Sequence, residues 1–277
     1  MSSIEHQMTE IYCFVDDALK ANPRLAQWRH SPNSRPGFTD AEVITIALMQ
    51  GCLGVATLKK AYSLIAFNHR QAFPHLVSYK QWVQRLHALT RIIGHLFTAT
   101  RGGSCSEPSC YILDSKPIPV CKPIRHHRVR LLREDGAYWA RTSCGWFFGF
   151  KLHLLMTMTG RILSAFLTPA NFQDRDAAPA LGLATDGGIL LGDLGYRGAP
   201  TARRIAEETE LLVITPGDGG PRRALISSVR ERVETLFSQL WNKFIDRVFS
   251  RSWNGLWNTI KLKLLNYNLR QAGLISA

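Results

Sequence analysis

The chain has 277 residues, room for one large domain or two modest ones. Hydrophobic residues make up 45%, the share of a folded globular protein rather than a disordered chain. Lys and Arg number 34 against 21 Asp and Glu, a formal net charge of +13, and a field of that sign attracts polyanions.

Residues 1 to about 100 read as helical. Thr39-Asp40-Ala41-Glu42 forms a capping-box pattern ahead of an apolar stretch that ends at Gly51. Thr57 to Phe67 is a second helical segment. Ser78-Tyr79-Lys80-Gln81 repeats the box and opens a third, running towards Phe97. Short helices joined by short turns are the material of a helix-turn-helix-like module. The third segment carries Lys80 and Arg85, residue types that reach phosphates and base edges. A plain helical bundle with a solvated basic face is the competing reading.

Arg101 to Pro108 is rich in breakers and marks a domain boundary. The expected division is a helical DNA-binding domain over 1–103 and a catalytic domain over 104–277, the latter ending in basic helices. Past the boundary come strands over Cys110–Ser115, Trp146–His153 and Ile162–Leu167. A short helix near Asp176–Leu183 follows, then a strand over Ile189–Asp193, a helix over Ala199–Glu208, a strand over Leu211–Thr215 and a last helical pattern. Three strands in succession, then strand–helix–strand–helix, is the order of an RNase H-like α/β fold, a mixed sheet flanked by helices. In that fold the first and fourth strands are neighbours.

Three acids stand out in this frame. Asp114 and Asp193 each close a short apolar run, where a buried strand gives no hydrophobic reason for a carboxylate. Ligands of open α/β sheets bind outside the carboxyl ends of strands, so both acids are placed to share a crevice. Glu234 belongs to the helical pattern over 226–244. At about 100° per residue, Val233, Leu236, Phe237 and Leu240 gather on one face, and Glu234 falls at its edge. Glu231 falls nearly opposite and has a capping box with Ser228 to explain it. Asp174 and Asp176 precede a helix, where acids favour the dipole, and Asp186 reads as a turn residue.

Asp–Asp–Glu, with Gly192-Asp193-Leu194-Gly195-Tyr196 around the second acid and Arg230-Glu231-Arg232-Val233-Glu234 around the third, resembles the DDE transposases of bacterial insertion sequences. The closest likeness is to the IS982 group, within the wider set that includes IS4-like and IS5-like enzymes. Phe38 to Ile44 and Pro169-Ala170-Asn171-Phe172-Gln173-Asp174 also look like landmarks of that family. The wider family often carries Tyr-x-x-Arg-x-x-x-Glu followed seven residues on by Lys. Here Arg230 and Glu234 match, whereas Ser227 and Trp241 occupy the Tyr and Lys positions, and the nearest lysine is Lys243. The resemblance implies binding of insertion-sequence terminal inverted repeats and target DNA, metal-dependent strand cleavage and strand transfer, and a homo-oligomer on DNA. An RNase H-like nuclease without strand transfer and a catalytically silent DNA-binding relative are the alternatives.

The chemistry suits these residues. In-line attack on a phosphodiester builds charge on attacking and leaving oxygens, and two divalent ions roughly 3.5–4 Å apart stabilise both. Mg²⁺, with Mn²⁺ as a substitute, takes oxygen ligands from carboxylates, waters and substrate phosphate, which Asp114, Asp193 and Glu234 would supply.

Basic residues dominate the stretch after Asp114. Lys116, Arg125, Arg128 and Arg130, with Arg197, Arg230 and Lys243 further on, are the expected phosphate contacts. His126-His127 suggests a proton shuttle, but phosphate contact is the simpler use. Trp146 and Phe147 open a strand and are expected in the core, whereas Trp139 is open to base stacking. The six cysteines form no Cys-x-x-Cys pair, and a zinc site from Cys105, Cys110, Cys121, His126 or His127 fits no common spacing. Reduced thiols follow. No apolar run approaches the ~18 residues that span a bilayer, and Met1–His6 lacks the plan of a signal peptide. A cytoplasmic, nucleoid-associated protein is expected.

Overall fold

A computed structural model describes residues 3–27, 36–101, 110–128, 130–143, 145–192, 198–215, 234–240 and 250–276. The chain divides into two compact units, one of Met1–Thr100 with Asn242–Ala277 and one of Arg101–Trp241.

The first unit is helical. Helix α1 (Ile4–Ala21) is capped by Ser3, whose side chain accepts from the His6 amide, and buries Met8, Ile11, Val15 and Leu19 at helical spacing. A short α2 (Pro23–Gln27) follows. Helix α3 (Asp40–Cys52) starts at the expected capping box, with Thr39 and Glu42 exchanging side-chain and backbone bonds. It buries every residue from Val43 to Gln50 and so forms the centre of the unit. Helix α4 (Leu58–Asn68) is capped by Thr57.

The third expected segment is two helices, α5 (Tyr79–Ala88) and α6 (Thr90–Ala99), because Leu89 closes one and opens the other. Trp82 of α5 is fully buried, and its indole N–H donates to the Val43 carbonyl at 3.1 Å.

The second unit carries a six-stranded mixed sheet. Its strands are β1 (Cys110–Cys121), β2 (Tyr138–Thr142), β3 (Gly145–Thr157), β4 (Ile162–Pro169), β5 (Gly188–Leu191) and β6 (Leu211–Ile214). The order is β2-β3-β1-β5-β6, with β4 also paired to β3. Leaving β2 aside, β4-β3-β1-β5-β6 with β5 and β6 parallel to β1 is the arrangement of an RNase H-like fold. The expected neighbours, the first strand and the strand leading to Asp193, pair in parallel from Cys110↔Ile189 to Ile112↔Leu191.

One face of the sheet packs Leu113, Leu155, Leu163 and Leu190 against Ala178 and Leu181 of α7 (Asp174–Gly182) and Ile205 of α8 (Ala199–Thr209). Residues 234–240 form a helical segment, α9.

Three strands, β1, β3 and β4, exceed their expected length. β1 runs on to Cys121 through Pro117 and Pro119, which its sheet neighbours permit: β5 pairs with β1 only as far as Ile112, so the prolines lack an N–H where no partner on that side needs one. A register shift between Pro119 and Cys121 brings β3 so close that a Cβ on Gly149 would sit 2.2 Å from the Ile118 carbonyl oxygen. Only glycine fits there.

The final helix, α10 (Trp253–Gln271), was expected beside the catalytic domain. It packs instead against α3, α5 and α6. Leu256, Ile260, Leu264 and Leu265 are buried, and its asparagines reach into the unit, Asn266 donating to the Leu48 carbonyl at 3.1 Å. Gly51 makes room for it, since a Cβ there would meet Asn266 at 2.4 Å. Among the described residues no helix is long and apolar enough to cross a membrane.

Candidate active site

Ile112 and Leu113 anchor β1 in the core, at 3% and 2% exposure, and set the next residue at the end of the β5 pairing. Asp114 lies two positions beyond Ile112, where β5 has stopped and β1 continues. Its carboxylate is half-buried. Oδ1 accepts from the Ser115 amide at 2.7 Å, and Oδ2 lies 3.8 Å from the Lys116 ammonium. Alternation along the strand puts Asp114 and Lys116 on one face.

The Lys116 ammonium also lies over the Phe237 ring, 5.1 Å from its centroid. Phe237 is buried in α9 together with Leu236 and Leu240, while Glu234 is exposed. This is the sidedness expected from helical spacing. Residues three apart on a helix are neighbours, so Glu234 stands one turn from the point where α9 meets Lys116. The contact therefore brings the Glu234 helix to the face of β1 that bears Asp114. Asp193 follows β5 directly in sequence, after Leu191 and Gly192, but lies outside the described residues, as do Arg197, Arg230 and Lys243.

A family model, the transposase DDE domain, matches residues 104–247, just over half of the chain and nearly all of this unit. The chain belongs to the DDE transposase family. No curated protein and no solved structure matches it. The matched span contains all three acids of the transposase reading.

The DDE unit contains a second polar cluster that the sequence reading did not single out. His153 is fully buried in β3, with Nε2 2.8 Å from the Thr168 hydroxyl and Nδ1 3.9 Å from Asp174. Burial pushes its pKa down to about 4; Asp174 opposes that shift and Lys151 reinforces it. The Lys151 ammonium binds Asp174 at 3.0 Å and the Phe172 carbonyl at 2.9 Å. These bonds tie the Pro169–Asp174 landmark to β3. The cluster lies on the other face from Asp114, since His153 pairs with Ser115 and Asp114 with Leu154. Period-two alternation sets Phe148, Phe150, Leu152 and Leu154 on one face and His153 with Lys151 on the other, so the sequence pattern reads His153 as a polar-face residue and hides its burial.

Several expected contacts change role. Arg85 is no free cation: its guanidinium donates to Asp40 at 2.8 Å and to the Phe38 carbonyl, and stacks over the Phe38 ring. Asp40 opens α3 and is itself buried, so it holds the arginine inside the unit. Lys80, by contrast, is exposed. Arg125, Arg128 and Arg130 are exposed in the loop after β1. That loop is held down by Arg133, which donates to the His126 carbonyl and covers the Phe148 ring, and by His126 packed on Trp139 at 4.6 Å.

Trp146 was expected in the core and is 60% exposed. It opens β3 beside the β2 hairpin, at Arg141↔Trp146, where the strand has left the body of the sheet. Phe147 is buried as expected. Burial raises the pKa of the Cys110 and Cys121 thiols, which keeps them protonated rather than reactive. Among the described residues no group of three or more His, Cys, Asp or Glu side chains is placed to hold a metal ion.

Proposed function

We propose that the protein is an insertion-sequence transposase of the IS982 type. In this reading it binds terminal inverted repeats, cuts the DNA at them and joins the ends to target DNA. The observation that carries it is the parallel pairing of β1 with β5, which leads the chain towards Asp193 alongside the strand of Asp114. The Lys116–Phe237 contact supports adding Glu234 to the same site.

The donor set suits a hard divalent cation. Asp114 offers a partly exposed carboxylate, and the remaining donors are oxygens too. Asp114, Asp193 and Glu234 would hold Mg²⁺ or Mn²⁺, and the bound ions would stabilise charge on the attacking and leaving oxygens. The chain itself supplies positioning. Ser115 orients the Asp114 carboxylate and Lys116 balances its charge and packs on α9, while exposed Arg125, Arg128 and Arg130, in the loop beyond the far end of β1, are offered to DNA phosphates. Lys80, Arg197, Arg230 and Lys243 complete the proposed DNA contacts. Assembly on DNA as a homo-oligomer and residence in the cytoplasm at the nucleoid belong to the same reading.

The test is a joining assay. Labelled duplex carrying the repeats that flank the gene is incubated with the protein, Mg²⁺ and a target plasmid. Label in the plasmid is the expected result. Fragments without joining would move the assignment to a nuclease, and intact DNA would leave the silent relative.

A further inference from the structure

Acids are unevenly placed in the helical unit. No Asp or Glu lies between Glu42 and Glu107, and none follows Asp246. The fold brings these two acid-free stretches together as α6 and α10. Asn258 donates to Thr90 at 2.6 Å and Asn268 to Thr100 at 3.2 Å. Both partners advance by ten residues between the two bonds, so the helices run parallel. An open groove of about 630 Å³ follows the pair, lined by Thr90, Arg91, His95, Thr98, Asn254 and Lys261.

Three of these side chains are basic and none is acidic. Gly94 adds no side chain to the wall, and a Cβ there would meet nothing within 4 Å. Lys261 is half-buried over the Trp257 ring at 5.2 Å, so its charge is held in place rather than waving in solvent. The parallel arrangement sets the first turns of α6 and α10 at one end of the groove, and no side chain caps α6. Ser252 caps α10, so the uncapped first turn of α6 is the end that favours an anion.

We propose that the α6–α10 groove binds the phosphodiester backbone of DNA, as a second DNA-contacting surface distinct from the acid site. This deepens the transposase reading and rests on it for the identity of the polyanion. The groove sets the held Lys261 opposite the exposed Arg91 and has few apolar anchors, so it grips phosphates without selecting bases.

The test uses the full chain and a random-sequence duplex of about 20 base pairs, with affinity measured across a range of salt. Each phosphate neutralised contributes about 0.9 to the slope of log affinity against log salt. Arg91→Ala with Lys261→Gln should flatten the slope by about two, and Lys261→Arg should keep it. Lys59→Ala with Lys60→Ala removes the same charge from α4, outside the groove, and should change the slope less. Should Lys261→Gln fail to fold, Arg91→Ala alone, at an exposed position, should flatten the slope by about one, against a smaller change from Lys59→Ala alone. Equal losses from the groove and α4 pairs would show diffuse attraction and overturn the proposal. So would a groove that takes inorganic pyrophosphate while the duplex slope stays unchanged in the variants. A wild-type protein that binds no duplex overturns this inference and the transposase reading together; one that binds duplex but ignores the groove substitutions overturns this inference alone.

Discussion

At the scale of single residues, two carboxylates with similar chemistry have different surroundings. Asp114 is held by Ser115 and balanced by Lys116 at the place where β1 loses its neighbour. Asp174 is committed to Lys151 and lies near His153. If they are the metal ligands proposed above, Asp114→Asn and Glu234→Gln should cut strand cleavage by more than the roughly 10–100-fold that loss of a ligand's hydrogen-bond partner costs, with duplex binding largely kept. Cleavage by Glu234→Gln at the wild-type rate would remove Glu234 from the site.

His153 makes a different prediction, because its folded pKa of about 4 lies below the ordinary 6.5. The unfolded chain therefore takes up the proton first as pH falls. Stability should be unaffected above about pH 6.5 and should decline as pH drops from there towards 4, by an amount of the order of 3 kcal/mol. Denaturant titrations of wild type and His153→Gln across that window check this. An identical slope in the two proteins would show that other groups cause the acid sensitivity.

At the scale of elements, α5 shows how one helix divides its basic residues between structure and surface. Arg85 spans from α5 to the first residue of α3, where the buried Asp40 carboxylate receives it. Removing one partner of such a pair leaves a buried charge uncompensated. Arg85→Ala should therefore lower stability by roughly 3 kcal/mol, the low end for a buried pair since the arginine keeps some exposure. Lys80→Ala, on the exposed side, should leave the stability within about half a kcal/mol of wild type. Calorimetry of the two variants separates them. Equal melting temperatures would mean that the Asp40 pair contributes nothing net.

At the scale of the whole molecule, the order of the chain and its grouping in space diverge. The last helix completes the first unit, so residues 1–100 alone lack part of their own core. Seven buried apolar side chains of α10 (Leu256, Ile260, Leu262, Leu264, Leu265, Tyr267 and Leu269) would be missing. At about 1.5–3 kcal/mol each, their loss is comparable with the 5–15 kcal/mol stability of a typical domain. A 1–100 fragment should thus be unfolded by circular dichroism and give no cooperative melt. Joining it through a flexible linker to residues 242–277 should restore both. A cooperative transition in the short fragment would show that α10 is an accessory to an already complete core.

Much of the architecture can be read from local patterns, because local physics sets it. Caps at Thr39, Thr57 and Ser78 mark helix starts, period-two runs mark the strands, and an acid after Ile112-Leu113 marks where β1 loses its β5 neighbour, although the strand itself runs on to Cys121. The helical sidedness of Leu236, Phe237 and Leu240 against Glu234 follows from spacing alone. The sequence also led to the family through motifs that lie in order along the chain.

What local pattern does not contain is which distant segments meet. Arg85 and Lys80 look alike as letters, and only the placement of Asp40 turned one of them inward. Trp146 looks like a core residue until β3 is seen to run past the body of the sheet. His153 lost its proton affinity to a packed layer built from β4 and the Asp174 segment. The α6–α10 groove exists because a helix near the end of the chain closes over one made more than 150 residues earlier. Burial and charge pairing are long-range in sequence, and the tertiary fold alone decides them.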